Sequence, residues 1–187
     1  MKHRTRLKLE ERIAAVHALE EEARRKMYKP VNEEFGLTPT QRQSVYDQLK
    51  IDEGVEYEIY HDHLGYPTFG VGHFITEEDE EHGKPEGTPV SEERVRECFE
   101  KDLDTSVREC YALYGDRWDS FPHEVQEIMV NMMFNMGRPR LSKFVNLGKA
   151  LGQGDWKLAA REGRNSLWYT QVTNRAERLM QRMENVT

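Results

Sequence analysis

The residues best placed to do chemistry are Glu53, Asp62 and Thr68, within LKIDEGVEYEIYHDHLGYPTFGVGH, residues 49–73. A helical pattern stops at Asp52-Glu53-Gly54. Glu53 therefore ends a helix, where the dipole disfavours negative charge, a suitable place for a group that must carry a proton. A nearby arginine would oppose that effect, and Arg175 is the candidate neighbour. Asp62 follows nine residues later in a turn closed by Gly65, and a wet turn keeps a carboxylate ionised. Thr68, six residues on, lies on the return strand, where its hydroxyl can hold a water for Asp62. Taken singly, a helix-end Glu is ordinarily solvated and a turn Asp is ordinarily turn chemistry. The joint spacing gives two carboxylates in different environments, which is what cleaving a glycosidic bond needs.

The elements that position these groups follow from local signals. Thr38-Pro39 is an N-cap with proline at the first helical position. The helix it opens runs to about Glu53, with Val45, Tyr46, Leu49 and Ile51 as apolar contacts, and Gly54 stops it. A hairpin follows: one strand over Tyr57–Tyr60, a second over Tyr66–Gly72. Pro67 removes a ladder donor and so predicts an edge position, while Gly70 and Gly72 predict close approach by a ligand or another chain segment. Residues 76–90 read as an acidic loop. Ser91 caps a long helix reaching about Leu113, with Val95, Phe99, Leu103 and Val107 on one face and Gly115 as its breaker. Pro122 opens a helix that Gly137 ends. Its Met129, Met132, Met133 and Met136 stripe reads as core filling. Shorter helices are expected around Leu141–Leu151, Asp155–Glu162 and Thr173–Glu184, the last capped by Thr173.

The rest of the composition narrows the class. The formal net charge is −7, but Arg138 to Arg182 holds ten Lys/Arg against Asp155, Glu162 and Glu177. That imbalance suits an anionic partner as well as a solvated face. Cys98 and Cys110 fall on one helix roughly 18 Å apart at helical rise, too far for a bridge. No run approaches the ~20 apolar residues of a membrane span, and no secretion signal is visible. Leu9, Ile13, Val16, Ala23 and Met27 mark one apolar stripe on an N-terminal helix. His123-Glu124 begins like a zinc-protease motif, but position 127 is Glu, so the motif fails; neither metal nor cofactor is expected.

The block Ile51-Asp52-Glu53-Gly54, Ile59-Tyr60, Asp62, Gly65-Tyr66, Thr68 and Gly70-Val71-Gly72-His73 resembles the catalytic segment of the phage-type lysozymes, the muramidases that tailed phages use as endolysins. Asn131-Met132, Phe134 and Met136-Gly137 resemble a second motif of that family, and Trp168-Tyr169, Gln171 and Asn174-Arg175-Ala176 a third. The resemblance implies a mostly helical α+β fold in two lobes. Residues 1–38 would be an extension and 39–187 the domain, with a small lobe at about 54–90. The helical lobe would cover about 91–187 plus the helix over 39–53. It implies Glu53 as the acid, Asp62 as the second carboxylate and Thr68 as the residue that positions water. Gly72, Phe74 and Phe134 would lie along the sugar cleft. His73 with Asp102 would form a supporting ion pair, and Arg175, Asn135 and Gln171 would support the site. Asp52 with Arg178 would tie the catalytic helix to the helical lobe.

The implied reaction is hydrolysis of peptidoglycan between N-acetylmuramic acid and N-acetylglucosamine with inversion, for which the carboxyls stand about 6.5–9.5 Å apart. The expected partner is the bacterial wall, not nucleic acid, and the protein is expected to act as a monomer. It would act from the host cytoplasm as an endolysin, or outside the cell if a signal has been removed. The competing readings are a non-catalytic wall-binding module and a lytic transglycosylase, the latter disfavoured because its chemistry needs no Asp/Thr water clamp. Departures from the family pattern are a loop after His73 about ten residues short, Asn135 for a glutamine, and Leu147 and Glu162 in place of a serine and an asparagine of the cleft.

Overall fold

The computed structural model of the chain describes residues 36–187. The amphipathic stripe expected over Leu9–Met27 lies outside the described residues. The described chain begins with α1 (Pro39–Glu53), where Thr38 and Gln41 form a reciprocal capping box. Thr38 N donates to Gln41 Oε1 at 3.0 Å and Gln41 N donates to Thr38 Oγ1 at 3.3 Å, so two otherwise orphaned amides are satisfied. Gln41 is itself buried and ties α1 down through Nε2 to Gln126 Oε1 at 3.1 Å. Gly54, at φ 81°, ends the helix as expected. Ile51 departs from expectation: it is 76% exposed, on the outer face of a helix whose buried residues include Val45 and Leu49.

A three-stranded antiparallel sheet follows, β1 (Glu56–His61), β2 (Pro67–Gly70) and β3 (His73–Phe74), in the order β1-β2-β3. The single return strand expected from the sequence is thus two. Gly70 at φ 64° and Gly72 at φ 78° reverse the chain between them, pairing Thr68 with Phe74 and Phe69 with His73. Pro67 accordingly lies in the central strand rather than at an edge. It is tolerated there because it is the strand's first residue, where its carbonyl still accepts from Ile75 N at 2.9 Å.

The acidic loop is anchored rather than free. Ile59 N donates to Thr88 O, Gly87 N to Ile59 O and Val90 N to Tyr57 O, so its far end runs beside β1. Its acids converge on one cation: Arg94 bonds Asp79 at 3.0 Å and Glu81 at 3.0 Å, with Glu80 at 3.4 Å. Glu81 is only 4% exposed, which is why it needs that partner.

The helical part comprises α2 (Glu92–Tyr114), a 3-10 segment (Gly115–Ser120), α3 (His123–Leu141), α4 (Val145–Gln153), α5 (Trp156–Arg164), α6 (Leu167–Gln171) and α7 (Thr173–Glu184). Gly137 (φ 70°) kinks α3 rather than ending it, and one more turn runs to Leu141. The short α6 is not visible in the apolar periodicity. Thr173 is not the cap of α7: its hydroxyl donates to Tyr169 O, and Val172 holds the cap position.

Two apolar clusters meet along α2. The small one joins Ile59, Phe69, Ile75 and Val90 to Val95 and Cys98 of α2. The large one takes Phe99, Leu103 and Val107 from α2, then Ile128, Met129, Met132 and the buried faces of α4, α5 and α7. Burying a side chain such as Phe69 contributes roughly 1.5–3 kcal/mol. The methionine stripe is core for its first three members, while Met136 is partly buried. Sheet and helices therefore form a mostly helical α+β fold in which α2 belongs to both cores. Among the described residues no helix is long and apolar enough to cross a membrane.

Candidate active site

Glu53 is the last residue of α1, and its carboxylate is held on one side only. Arg175 Nη1 donates to Oε1 in a close ion pair, and Asn135 Nδ2 reaches the same oxygen at 3.5 Å. Asn135 is aimed in turn by Trp168 Nε1, which donates to its Oδ1 at 2.9 Å. Oε2 carries neither contact and is the oxygen left free for a proton. Arg175 is 6% exposed and fixed from behind, its Nε on Asn131 Oδ1 at 2.9 Å and Nη2 on Asn131 O at 3.0 Å. Asn131 Nδ2 completes the hub by donating to Asp52 Oδ2 at 3.1 Å, and Arg178 pairs with Asp52 Oδ1. The expected links Glu53–Arg175 and Asp52–Arg178 are both present. The role of Asn131 was missed, though the signal is plain: one amide in the run Met129-Val130-Asn131-Met132-Met133.

Asp62 caps its own turn. Oδ1 accepts from Leu64 N at 2.9 Å and Tyr66 N at 2.8 Å. The Tyr66 amide above all, with Leu64 and His63 adding to it, holds the Asp62 carboxyl below its ordinary value. The turn therefore keeps it anionic, as the sequence led one to expect. Thr68 is buried on β2, and its hydroxyl donates to Tyr66 O at 2.9 Å. With its own proton committed, the Thr68 oxygen is left as an acceptor. Tyr60 reports on both carboxylates. Burial raises its phenol first, and the negative charges of Glu56, Asp62 and Glu53 raise it further.

Around these groups the other expected residues fall as follows. Phe74 is 49% exposed and meets Tyr66 edge-on, ring centroids 5.4 Å apart. Phe134 is half-buried on α3 against Phe99. Gly72 is exposed, and a Cβ there would meet nothing within 4 Å; Gly70, by contrast, packs against Val95. Gln171 is not among the side chains that hydrogen-bond Glu53; it lines a cavity beside Asn135 and Trp168. His73 Nδ1 lies 2.8 Å from Asp102 Oδ2, the expected pair. Its buried Nε2 is 3.4 Å from Asp79 Oδ1, close enough for an ion pair but out of line for a hydrogen bond. Burial opposes the imidazolium, but Asp102 and Asp79 outweigh it and His73 titrates above its ordinary value.

Asp79 and Arg94 were not anticipated here, because their partners lie far away in sequence. His73, Asp79 and Cys98 bring ligand atoms within 4.8 Å of one another, the one such trio among the described residues. Arg94 already occupies the shared Asp79 oxygen, and burial pushes the Cys98 thiol up to about 11. A fixed guanidinium and a reluctant thiol make this a poor cation cage.

An acidic group on a helix end and an ionised one in a hairpin turn, on a small sheet joined to a helical body, are the attributes of the lysozyme class. The chain belongs to the phage lysozyme family: the family model described as Phage lysozyme matches residues 50–185. It is 32% identical over 153 residues to the Pre-baseplate central spike protein Gp5 of Enterobacteria phage T4, an alignment covering 73% of this chain and 27% of that protein. It is 28% identical over 162 residues to Probable T4-type lysozyme 2 of Dictyostelium discoideum, covering 77% of this chain and 95% of that one. To the Peptidoglycan hydrolase gp36 of Pseudomonas phage phiKMV it is 28% identical over 131 residues, 70% of this chain and 14% of that protein. The chain thus spans about a quarter of the spike protein's length.

Proposed function

We propose that the protein is a cell-wall hydrolase of the glycoside hydrolase kind, a muramidase. It would cut the β-1,4 bond between N-acetylmuramic acid and N-acetylglucosamine with inversion. Family membership and the peptidoglycan-hydrolase relative support the class. The observation that carries the mechanism is that the two carboxylates are held by opposite means, Glu53 at a helix end beside the Arg175 guanidinium and Asp62 in a hairpin turn by backbone amides.

In this reading Glu53 gives the proton on Oε2 to the departing glycosidic oxygen. Arg175 and Asn135 then stabilise the carboxylate it leaves behind. A water gives one hydrogen bond to Asp62 and one to the Thr68 oxygen, which turns its lone pair toward the anomeric carbon. As the carbon–oxygen bond breaks, Asp62 takes the water's proton, and attack from the opposite face inverts the centre. Clearing of bacterial walls by the protein, and its loss in Glu53→Gln with folding retained, is the expected outcome. Proton NMR of fresh products reports the anomer, and mass spectrometry distinguishes hydrolytic reducing ends from the anhydro ends of a transglycosylase. The second reading, a non-catalytic wall-binding module, draws on the likeness to a spike protein. It predicts wall binding with no clearing by either form.

A further inference from the structure

Tyr60 of β1 is the register partner of Thr68 on β2, and Thr68 is the partner of Phe74 on β3. Paired antiparallel residues carry their side chains on one face, with Cβ atoms about 4.5–5.5 Å apart. Tyr60, Thr68 and Phe74 therefore stand in one row across the sheet. Ile59 and Phe69, their neighbours along the strands, belong to the small core on the other face. Asp62 lies two residues beyond Tyr60, the strand period that returns to one face, and its N still donates to Tyr66 O at 3.0 Å. Thr68 is 4% exposed and has committed its hydroxyl proton to Tyr66 O, so its oxygen only accepts. Tyr60 is half-buried, and among the described residues no hydrogen bond engages its hydroxyl. Burial, then the charges of Glu56, Asp62 and Glu53, raise its phenol, which keeps its proton across the neutral range. The row thus sets an unused donor beside an oxygen that can only accept.

We propose that Tyr60 is a third holder of the attacking water, its hydroxyl donating to the water while the water donates to Asp62 and Thr68. This role rests on the hydrolase reading above. A water held by Asp62 and Thr68 alone keeps two lone pairs, and neither is singled out for attack. Once Tyr60 occupies one of them, three of the four tetrahedral directions are fixed and the remaining lone pair has a single direction to point. Tyr60 gains and loses no proton in the step. Asp62 takes the water's proton as the new carbon–oxygen bond forms, and the phenol acts only through orientation.

Tyr60→Phe keeps the ring and removes only the hydroxyl, so packing is retained. With a soluble tetrasaccharide of alternating N-acetylglucosamine and N-acetylmuramic acid, kcat of the full chain should fall about tenfold while KM and Tm stay put. The pH profile should drop in height without moving its limbs, because the phenol does not titrate there. An unchanged kcat overturns the proposal, as does a loss matched by a fall in Tm, which marks a packing role. A shifted limb also overturns it, since the hydroxyl would then act on the acidity of Glu53 or Asp62. A high-resolution crystal structure of the full chain supplies a readout without turnover. It should show one ordered water within hydrogen-bond distance of the Asp62, Thr68 and Tyr60 oxygens, displaced in Tyr60→Phe. A Tyr60 hydroxyl turned away from Thr68 overturns the proposal even if walls are cleared. The water in place on all three oxygens, with no clearing by the native protein, would count against the hydrolase reading alone.

Discussion

Asp52 is shared by two arginines, and the fold predicts that only one of them matters much. Arg175 is 6% exposed and Asp52 3%, with Nε and Oδ2 3.5 Å apart. Arg178 meets the same carboxylate from a position 53% exposed. Replacing Arg175 with Met fills similar volume but removes donors from Asn131 Oδ1, Asn131 O and Glu53, and leaves Asp52 with a solvent-screened partner. Breaking a buried pair in this way costs about 3–5 kcal/mol. At roughly 2–4 °C per kcal/mol for a domain of this size, Tm should fall by about 6–20 °C. Arg178→Ala should cost only about 0–1 kcal/mol, because water and salt screen that pair. Urea unfolding of both variants and of the Asp52→Asn combinations reads the difference as a coupling energy, larger for Arg175 than for Arg178. If Arg175→Met were no worse than Arg178→Ala, the idea that burial makes this hub essential would be wrong.

The other predictions test the small lobe. At Gly70 a Cβ would lie 3.1 Å from Val95 Cγ1, and φ is 64°. Gly70→Ala should therefore lose about 2–5 kcal/mol from overpacking and backbone strain, against about 1–2 for Gly72→Ala, which meets open space. Equal losses in urea would discard the packing argument. His73 has a folded pKa above its unfolded value. Its contribution is then fully present below about pH 6.5 and is lost as pH rises through the folded pKa. Asp102→Asn should thus cost roughly 1–2 kcal/mol near about pH 5, after discounting for a carboxylate 35% exposed, and much less near about pH 9. A pH-independent loss would point to packing instead. Asp62 should titrate below ~3.9 in carbon-detected NMR, so any stability tied to it is present above that value and lost as pH falls through the lower folded one. A midpoint at or above the ordinary value would remove the amide cradle from the argument.

How much of this could be read in advance depended on the distance between cause and effect along the chain. Thr38 with Pro39, Ser91, Gly54 and Gly115 marked helix ends because a cap acts within a few residues of itself. The split of the return strand was missed although Gly70 and Gly72 were noticed. A glycine's positive φ is an option rather than an instruction, and the pairing of Thr68 with Phe74 and Phe69 with His73 that uses it is not written in the local sequence. Ile51 was expected in the core because it is apolar. The helix has only one buried face, and Asp52, next to it, takes the inward position through Arg175. The loop over 76–90 could be read only as acidic, because nothing local reveals that Arg94, 13–15 residues downstream, gathers Asp79 and Glu81.

The site follows the same rule, and this explains why its chemistry was easier to see than its supports. Asp62 is held by amides two and four residues away, so a short stretch contains nearly the whole of its environment. Glu53 depends on Asn135 and Arg175, 82 and 122 residues away. Position at a helix end could be inferred for it; the way Arg175 and Asn135 crowd one oxygen and leave the other free could not. In the proposed mechanism that asymmetry matters, because a proton placed on the unencumbered oxygen would be the one a leaving group can reach, and the cation beside the other oxygen would stabilise what remains after transfer. The short arm of Asn135 then has a physical consequence. At 3.5 Å it reaches Glu53 weakly, while Trp168 holds it firmly at 2.9 Å. Asn135→Gln should lengthen the arm enough to strengthen the first contact at the expense of the second. The expected result is a changed pH profile of wall clearing with little change in Tm. An unaltered profile would show that Arg175 alone sets the behaviour of the acid.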